Sequence, residues 1–241
     1  MQEQKRINAN WNLLYKLGSI AAIGAVLVGI VEIAITFFPG GNASQESVYE
    51  WFLFFQQSPF LGLRNLGLLN IFLNTLAIFT YLALYGVHRQ TPYQPLAALA
   101  VIISFLGIGV FFATNRAFAM LGLSQQFAVA ADEAQRAALI AAGQAMLSVG
   151  ASHSPGTFLA FFLSESAGVL ISVVMLRSNV FGRLAAYAGI LGFSILLLFE
   201  FITSFFSGLV TATMILSMLG GLMSMVWYIL IARRLFQLST E

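Results

Sequence analysis

Cysteine is absent from this 241-residue chain, and its absence removes several kinds of chemistry. Without a thiol the protein has no disulfide, no zinc–thiolate or iron–sulfur site and no cysteine nucleophile. Histidine is scarce too, since the chain has only His88 and His153. A metal would need oxygen or imidazole ligands, and the sequence contains no motif that groups them. We predict no metal, no cofactor and no assigned catalytic residue.

Charged residues make up only 8% of the chain, against roughly 25% in a typical soluble domain. Hydrophobic residues make up 59%. A soluble globule must cover its surface with polar groups, so this composition excludes a soluble globular protein. It indicates a lipid bilayer as the partner. The 11 basic residues are scattered and leave a net charge of only +2, which argues against a nucleic-acid-binding surface.

Six apolar runs have the length of about 20 residues that crosses a bilayer core about 30 Å thick as a helix. They cover residues 17–38, 60–87, 96–114, 157–176, 184–203 and 208–232. The sequence therefore predicts an all-α polytopic membrane bundle of six transmembrane helices, forming a single domain over residues 1–241. The first run is too long for a signal peptide, and residues 39–41 after it are no clear cleavage site, so we expect it to be retained.

Basic residues in the short loops all fall on one side of these spans. They precede the first span or follow the second, fourth and sixth spans: Lys5, Arg6, Lys16, Arg89, Arg177, Arg183, Arg233 and Arg234. Cytoplasmic flanks of membrane helices are enriched in Lys and Arg. We therefore predict a plasma-membrane protein with a cytoplasmic N-terminal segment, residues 1–16, and a cytoplasmic tail, residues 233–241.

Two segments that do not span the membrane fall on the predicted outer side. Residues 47–57 are rich in aromatic side chains, which is typical of an element at the level of the lipid headgroups. Residues 115–155 have the periodicity of an amphipathic helical hairpin, with Asp132 and Glu133 at the start of a helix. This hairpin is either a fixed cover over the outer end of the bundle or a mobile lid over a ligand site.

Ionisable residues inside a bilayer are costly, so each one raises a functional hypothesis. The predicted topology places a polar group in the outer half of the membrane: Glu32, Arg64, Asn65, Arg116, Glu165 and Glu200. His153, at the start of the fourth span, lies at a similar level. We expect these residues to converge, and three interpretations stay open. They form an ion-pair network in which Glu32 or Glu165 pairs with Arg64 or Arg116, they line a ligand pocket, or their carboxylates perform acid–base or metal chemistry.

The second span carries a further polar stripe. Asn70 and Asn74 are one helical turn apart, and Tyr81 continues approximately the same face. Such a stripe must face protein or water in a membrane protein. It indicates either hydrogen bonds to neighbouring helices or the lining of a polar pathway.

Four stretches carry a family resemblance. They read FFATNRAFAML at residues 111–121, EAQRAAL at residues 133–139, MLRSNVFGR at residues 175–183 and AYAGILG at residues 186–192. With these motifs the chain resembles the bacterial multi-pass membrane family catalogued as Domain of Unknown Function forty-three eighty-six, over most of its length after Leu61. The resemblance implies an integral membrane protein from a bacterium and supplies no activity and no site residue.

Three functions are compatible with these observations. The one we favour is a non-enzymatic membrane protein that binds a small or lipid-like ligand, or the helix of a membrane-protein partner, through a polar cavity in the outer half. The second is an intramembrane enzyme that uses buried carboxylates as acid or base, which requires two of them to converge on an open pocket. The third is a proton- or ion-coupled carrier, which requires a polar route past Asn74 and Tyr81 to the cytoplasmic side.

Overall fold

A computed structural model describes residues 2–36, 45–150 and 152–241, with side chains described from residue 10 and Thr36 excepted. These residues form helices and no β-strand, which confirms the all-α prediction. In chain order the helices are α1 (Gln2–Thr36), α2 (Val48–Gln57), α3 (Pro59–Asn65), α4 (Leu68–His88), α5 (Gln94–Thr114), α6 (Ala117–Ala128), α7 (Glu133–Leu147), α8 (Phe158–Ser178), α9 (Arg183–Phe205) and α10 (Val210–Leu238).

Six helices in the described part of the chain are long and apolar enough to cross a membrane: α1, α4, α5, α8, α9 and α10. The chain is therefore a multi-pass integral membrane protein. Each spanning helix packs against the next one along the chain, and α10 packs back against α1. The six helices thus form a closed ring, in which every helix has two neighbours.

The boundaries of two spans differ from the prediction. Helix α1 begins at Gln2, because the polar residues before Leu17 continue the same helix; its predicted end at Phe38 and residues 39–41 lie outside the described residues. The predicted span over residues 60–87 is wrong at its start. Gly67 has a φ of +99°, a left-handed conformation that glycine adopts without strain, and it separates the short helix α3 from α4.

Small residues allow the helices of the ring to approach closely. The α-carbon of Gly18 in α1 faces Ala83 of α4, and that of Gly189 in α9 faces Trp227 of α10. The Ser19 hydroxyl donates a hydrogen bond of 2.8 Å to the Ala232 carbonyl and so joins α1 to α10. Close backbone approach and interhelical hydrogen bonds of this kind drive helix association in lipid.

The ring has a packed core at one end and a cap at the other. The core surrounds fully buried side chains such as Leu84, Ile171, Trp227 and Leu235. The cap, which we define as α2, α3, α6 and α7, is inserted in the two long connections from α1 to α4 and from α5 to α8. We call these two ends the core end and the cap end.

The cap has a hydrophobic core of its own. The predicted hairpin over residues 115–155 is present as α6 and α7, and α2 packs on both helices through Phe52 and Phe55. The Ser124 hydroxyl of α6 donates a 2.8 Å hydrogen bond to the Phe52 carbonyl. The aromatic segment over residues 47–57 is therefore part of a small helical cap, a packing that the sequence analysis did not predict.

The close contact at Gly18 predicts that a larger residue at this position destabilises the protein. A leucine there would press on Ala83 and on the Phe79 carbonyl, so we expect Gly18→Leu to lower the stability of the protein by about 1–3 kcal/mol or to prevent folding. Thermal unfolding in mild detergent measures this effect. Gly109→Leu is the control, because Gly109 is exposed on α5 and a Cβ atom there meets open space. Equal melting temperatures for the two variants would contradict the packing.

Candidate functional site

The ring encloses a central cavity of about 310 Å³. Every spanning helix contributes to its lining, together with His153 from the segment before α8: Ala25, Gly29, Asn70, Leu73, Asn74, Ala77, Tyr81, Ser104, Ile108, His153, Phe161, Ser164, Glu165, Phe193, Leu196, Gly221, Ser224, Met225 and Tyr228. The volume lies at the lower end of the range of about 300–1,000 Å³ for small-molecule sites. Hydrocarbon and aromatic surface is combined there with a few polar groups.

The cavity occupies the cap half of the ring. Along α4 its lining runs from Asn70 to Tyr81, eleven residues apart, which at about 1.5 Å per residue is roughly 16 Å. Beyond Tyr81, the buried side chains of Leu84 and Trp227 belong to the packed core. Within the part of the chain that the structure describes, the cavity therefore has a floor and ends before the core end.

Glu165 supplies an acidic group to this cavity from the second turn of α8. Its Oε2 atom is buried and has no hydrogen-bond partner among the described residues, which also offer it no ion pair. An ionised carboxylate can only accept hydrogen bonds, and leaving it without a donor in an apolar environment is costly. Glu165 is thus the group in the cavity whose polar atoms the surrounding helices leave least satisfied.

His153 and Glu200 form a second polar unit at the cavity. The Nδ1 atom of His153 lies 2.5 Å from Oε2 of Glu200, and the Ser204 hydroxyl donates to Oε1 of the same carboxylate at 3.1 Å. Glu200 is fully buried, so His153 stands between it and the cavity. The imidazole packs on Phe161, with ring centroids 4.2 Å apart. His153 also has a φ of +61°, uncommon for a residue with a side chain.

Of the ion pairs that the sequence left open, the structure contains the one between Glu32 and Arg64. Their Oε1 and Nη2 atoms are 2.8 Å apart, and Arg64 also donates through Nη1 to the Asn65 side chain at 3.1 Å. The Arg64 side chain is buried, whereas that of Glu32 is half-exposed. Neither residue lines the central cavity, and neither does Asn65. This group ties α1 to α3 and lies apart from Glu165.

Arg116 forms no ion pair with Glu32, Glu165 or Glu200 among the described residues. It lines a separate cavity of about 20 Å³ beside Phe111, Asn115 and Thr157, at the junction of the ring and the cap. Its Nε atom is buried without a hydrogen-bond partner among the described residues. Among the described residues, Glu165 is the member of the predicted group of six that lines the central cavity.

Asn70, Asn74 and Tyr81, the predicted stripe, do line the central cavity. The Asn74 amide donates to the Asn70 carbonyl of its own helix at 2.9 Å, and among the described residues neither asparagine side chain bonds to another helix. Hydrogen bonds from this stripe to neighbouring helices are thus absent among the described residues, and the stripe lines a cavity. Sequence reasoning missed Ser224 and Tyr228 on α10, although their four-residue spacing is the same signal as that of the asparagines.

No group of three or more potential metal ligands occurs among the described residues. Comparisons of the chain with protein-family models, with curated proteins and with solved structures find no match. Any functional conclusion about this protein consequently depends on its own geometry.

The two glutamates predict opposite responses to the same substitution. Glu32→Gln removes the charge that compensates buried Arg64, and we expect it to lower stability by about 1–2 kcal/mol, since one partner is half-exposed. Glu165→Gln removes a buried charge without breaking an ion pair, so we expect its melting temperature to equal or exceed that of the wild type. Thermal unfolding in detergent checks both predictions. A melting temperature far below that of the wild type for Glu165→Gln would show that Glu165 has a structural role.

Proposed function

We propose that this protein binds a small amphipathic molecule in the central cavity. One observation carries the proposal: a closed ring of six helices surrounds about 310 Å³ of space that contains a carboxylate oxygen, Glu165 Oε2, without a hydrogen-bond partner among the described residues. A buried polar atom left without a partner in a cavity is typical of a site that a ligand completes. The cavity volume favours a small molecule over the helix of a partner protein.

The floor of the cavity supports binding over transport. A carrier needs a polar route towards the opposite side, and here the lining stops at Tyr81 and Tyr228, above a core that includes fully buried Leu84 and Ile231. The function we favour is thus a receptor or binding protein of the membrane that holds its ligand in one half of the bilayer.

An intramembrane enzyme is the second candidate, favoured by the His153–Glu200 pair. A carboxylate that holds one imidazole nitrogen leaves the other free to act as a general base towards a molecule in the cavity. The Ser164 hydroxyl, which also lines the cavity, donates its hydrogen bond to the Ala160 carbonyl of its own helix at 2.9 Å and not to His153. Conversion of a bound molecule by the wild type but not by His153→Asn would establish this candidate.

We also propose that the termini are cytoplasmic, that the cap faces the outer side of a plasma membrane, and that the whole chain is one domain. The distribution of Lys and Arg supports this orientation, because the cap end carries few of them. Membership of the bacterial family named above is supported by the quoted sequence motifs.

Filling the cavity tests the proposed function. Gly221 lines the cavity, and a Cβ atom added there meets open space, so we expect the side chain of Gly221→Leu to occupy part of the cavity. We expect the protein to fold normally and its binding to decrease at least tenfold. The binding is measured by calorimetry in lipid nanodiscs, with phenethylamine, phenethyl alcohol and phenylacetate as probes.

The control is Gly109→Leu, the same change on a spanning helix at an exposed position away from the cavity. It should bind the probes as the wild type does. If no probe binds to the wild type, or if Gly221→Leu and Gly109→Leu bind equally well, the central cavity is not the binding site and the proposed function is wrong.

The absence of cysteine allows a direct test of orientation, since any introduced thiol is unique. Glu133→Cys places it on the exposed start of α7 in the cap, and Thr240→Cys places it in the exposed C-terminal tail. In intact cells, a membrane-impermeant maleimide should label Glu133→Cys and should reach Thr240→Cys only after the membrane is permeabilised. The reverse pattern would invert the proposed topology.

A further inference from the structure

We infer that the ligand of the central cavity is a cation, a protonated amine that carries an apolar group. This inference rests on the proposed function and specifies the chemical class of the ligand. It follows from the charges around the cavity, from the hydrogen-bonding chemistry of Glu165 and from the aromatic rings in the lining.

The charges at the cavity are unbalanced. Glu165 lines it, whereas Glu200 is paired with His153. No Lys or Arg is among the lining residues that the structure describes. The two arginines predicted for the same half of the membrane do not line the cavity, since Arg64 pairs with Glu32 and Arg116 lines the small separate cavity. A positive group on the ligand would balance Glu165, whereas an anionic ligand would be repelled.

The hydrogen bonding of Glu165 also indicates a positively charged ligand. Glu165 Oε2 accepts no hydrogen bond from the described residues, so the ligand must bring the donor. An ammonium N–H bonded to a carboxylate is shorter and stronger than a bond between neutral groups. The difference increases in a site of low effective dielectric constant, where the attraction of opposite charges is less screened than in water. A protonated amine therefore satisfies both the charge and the missing bond.

Aromatic rings complete the site. Tyr81, Phe161, Phe193 and Tyr228 line the cavity, and the electron-rich face of an aromatic ring attracts ammonium groups. Leu73, Ile108, Leu196 and Met225 supply aliphatic surface for the remainder of the ligand. The same lining thus accommodates a charged head near Glu165 and an apolar body beside it.

The three probes introduced above separate the possible ligand charges, because they share a phenyl ring and differ mainly in the polar group. We expect wild-type protein in phosphatidylcholine nanodiscs to bind phenethylamine at least tenfold more tightly than phenethyl alcohol, and phenylacetate least of all. In Glu165→Gln we expect the affinity for the amine to fall at least tenfold and the affinity for the alcohol to stay within twofold. Glu133→Gln, the same change at an exposed position of the cap, should leave all three affinities unchanged.

Two results would overturn the inference. One is equal affinity of the wild type for the amine and the alcohol, and the other is an amine affinity that Glu165→Gln leaves unaltered. In either case the loss of binding in Gly221→Leu would still support the cavity as a binding site, so the failure of this inference is distinct from that of the proposed function. If Glu165→Gln does not fold, the comparison of amine and alcohol on the wild-type protein decides the matter.

Discussion

The contact between the first and the last spanning helices closes the ring, and the central cavity depends on that closure. Helix α1 packs on both α4 and α10, and the buried hydrogen bond from Ser19 to the Ala232 carbonyl joins the two ends of the bundle. Lipid offers no hydrophobic drive between helices, so small residues and interhelical hydrogen bonds must supply the attraction. With α1 in place, six helices surround a space that none of them fills.

The buried charged residues differ in whether the protein supplies their partners, and this difference separates structural groups from the candidate site. Arg64 is neutralised by Glu32, and Glu200 is held by His153 and Ser204, so these groups have partners within the protein. Glu165 faces the cavity, and one of its carboxylate oxygens has no hydrogen-bond partner in the part of the chain that the structure describes. Because an ionisable group in a bilayer is costly without compensation, this exception indicates the position where an external molecule contributes to the balance.

The cap links the outer segments to the cavity. Its own hydrophobic core, around Phe52 and Met120, fixes α6 and α7, and the chain then returns from α7 to α8 through the segment that contains His153. His153 adopts a positive φ there and reaches Glu200 of α9. The connection from the cap to α8 thus supplies one histidine to the site.

Composition and apolar run length determined that this is a multi-pass helical membrane protein, because a bilayer of fixed thickness requires apolar segments of matching length. They also selected Glu165, Asn70, Asn74 and Tyr81 as candidates, since polar residues in such segments must face away from lipid. The break at Gly67 escaped prediction, as its left-handed conformation interrupts a run that stays apolar on both sides. Only the tertiary structure decided which polar residues meet. Sequence position specifies the depth of a residue along its helix, but the order of helices in the ring and their rotation specify its neighbours. Arg64 therefore meets Glu32, whereas Arg116 and Glu165 form no ion pair among the described residues.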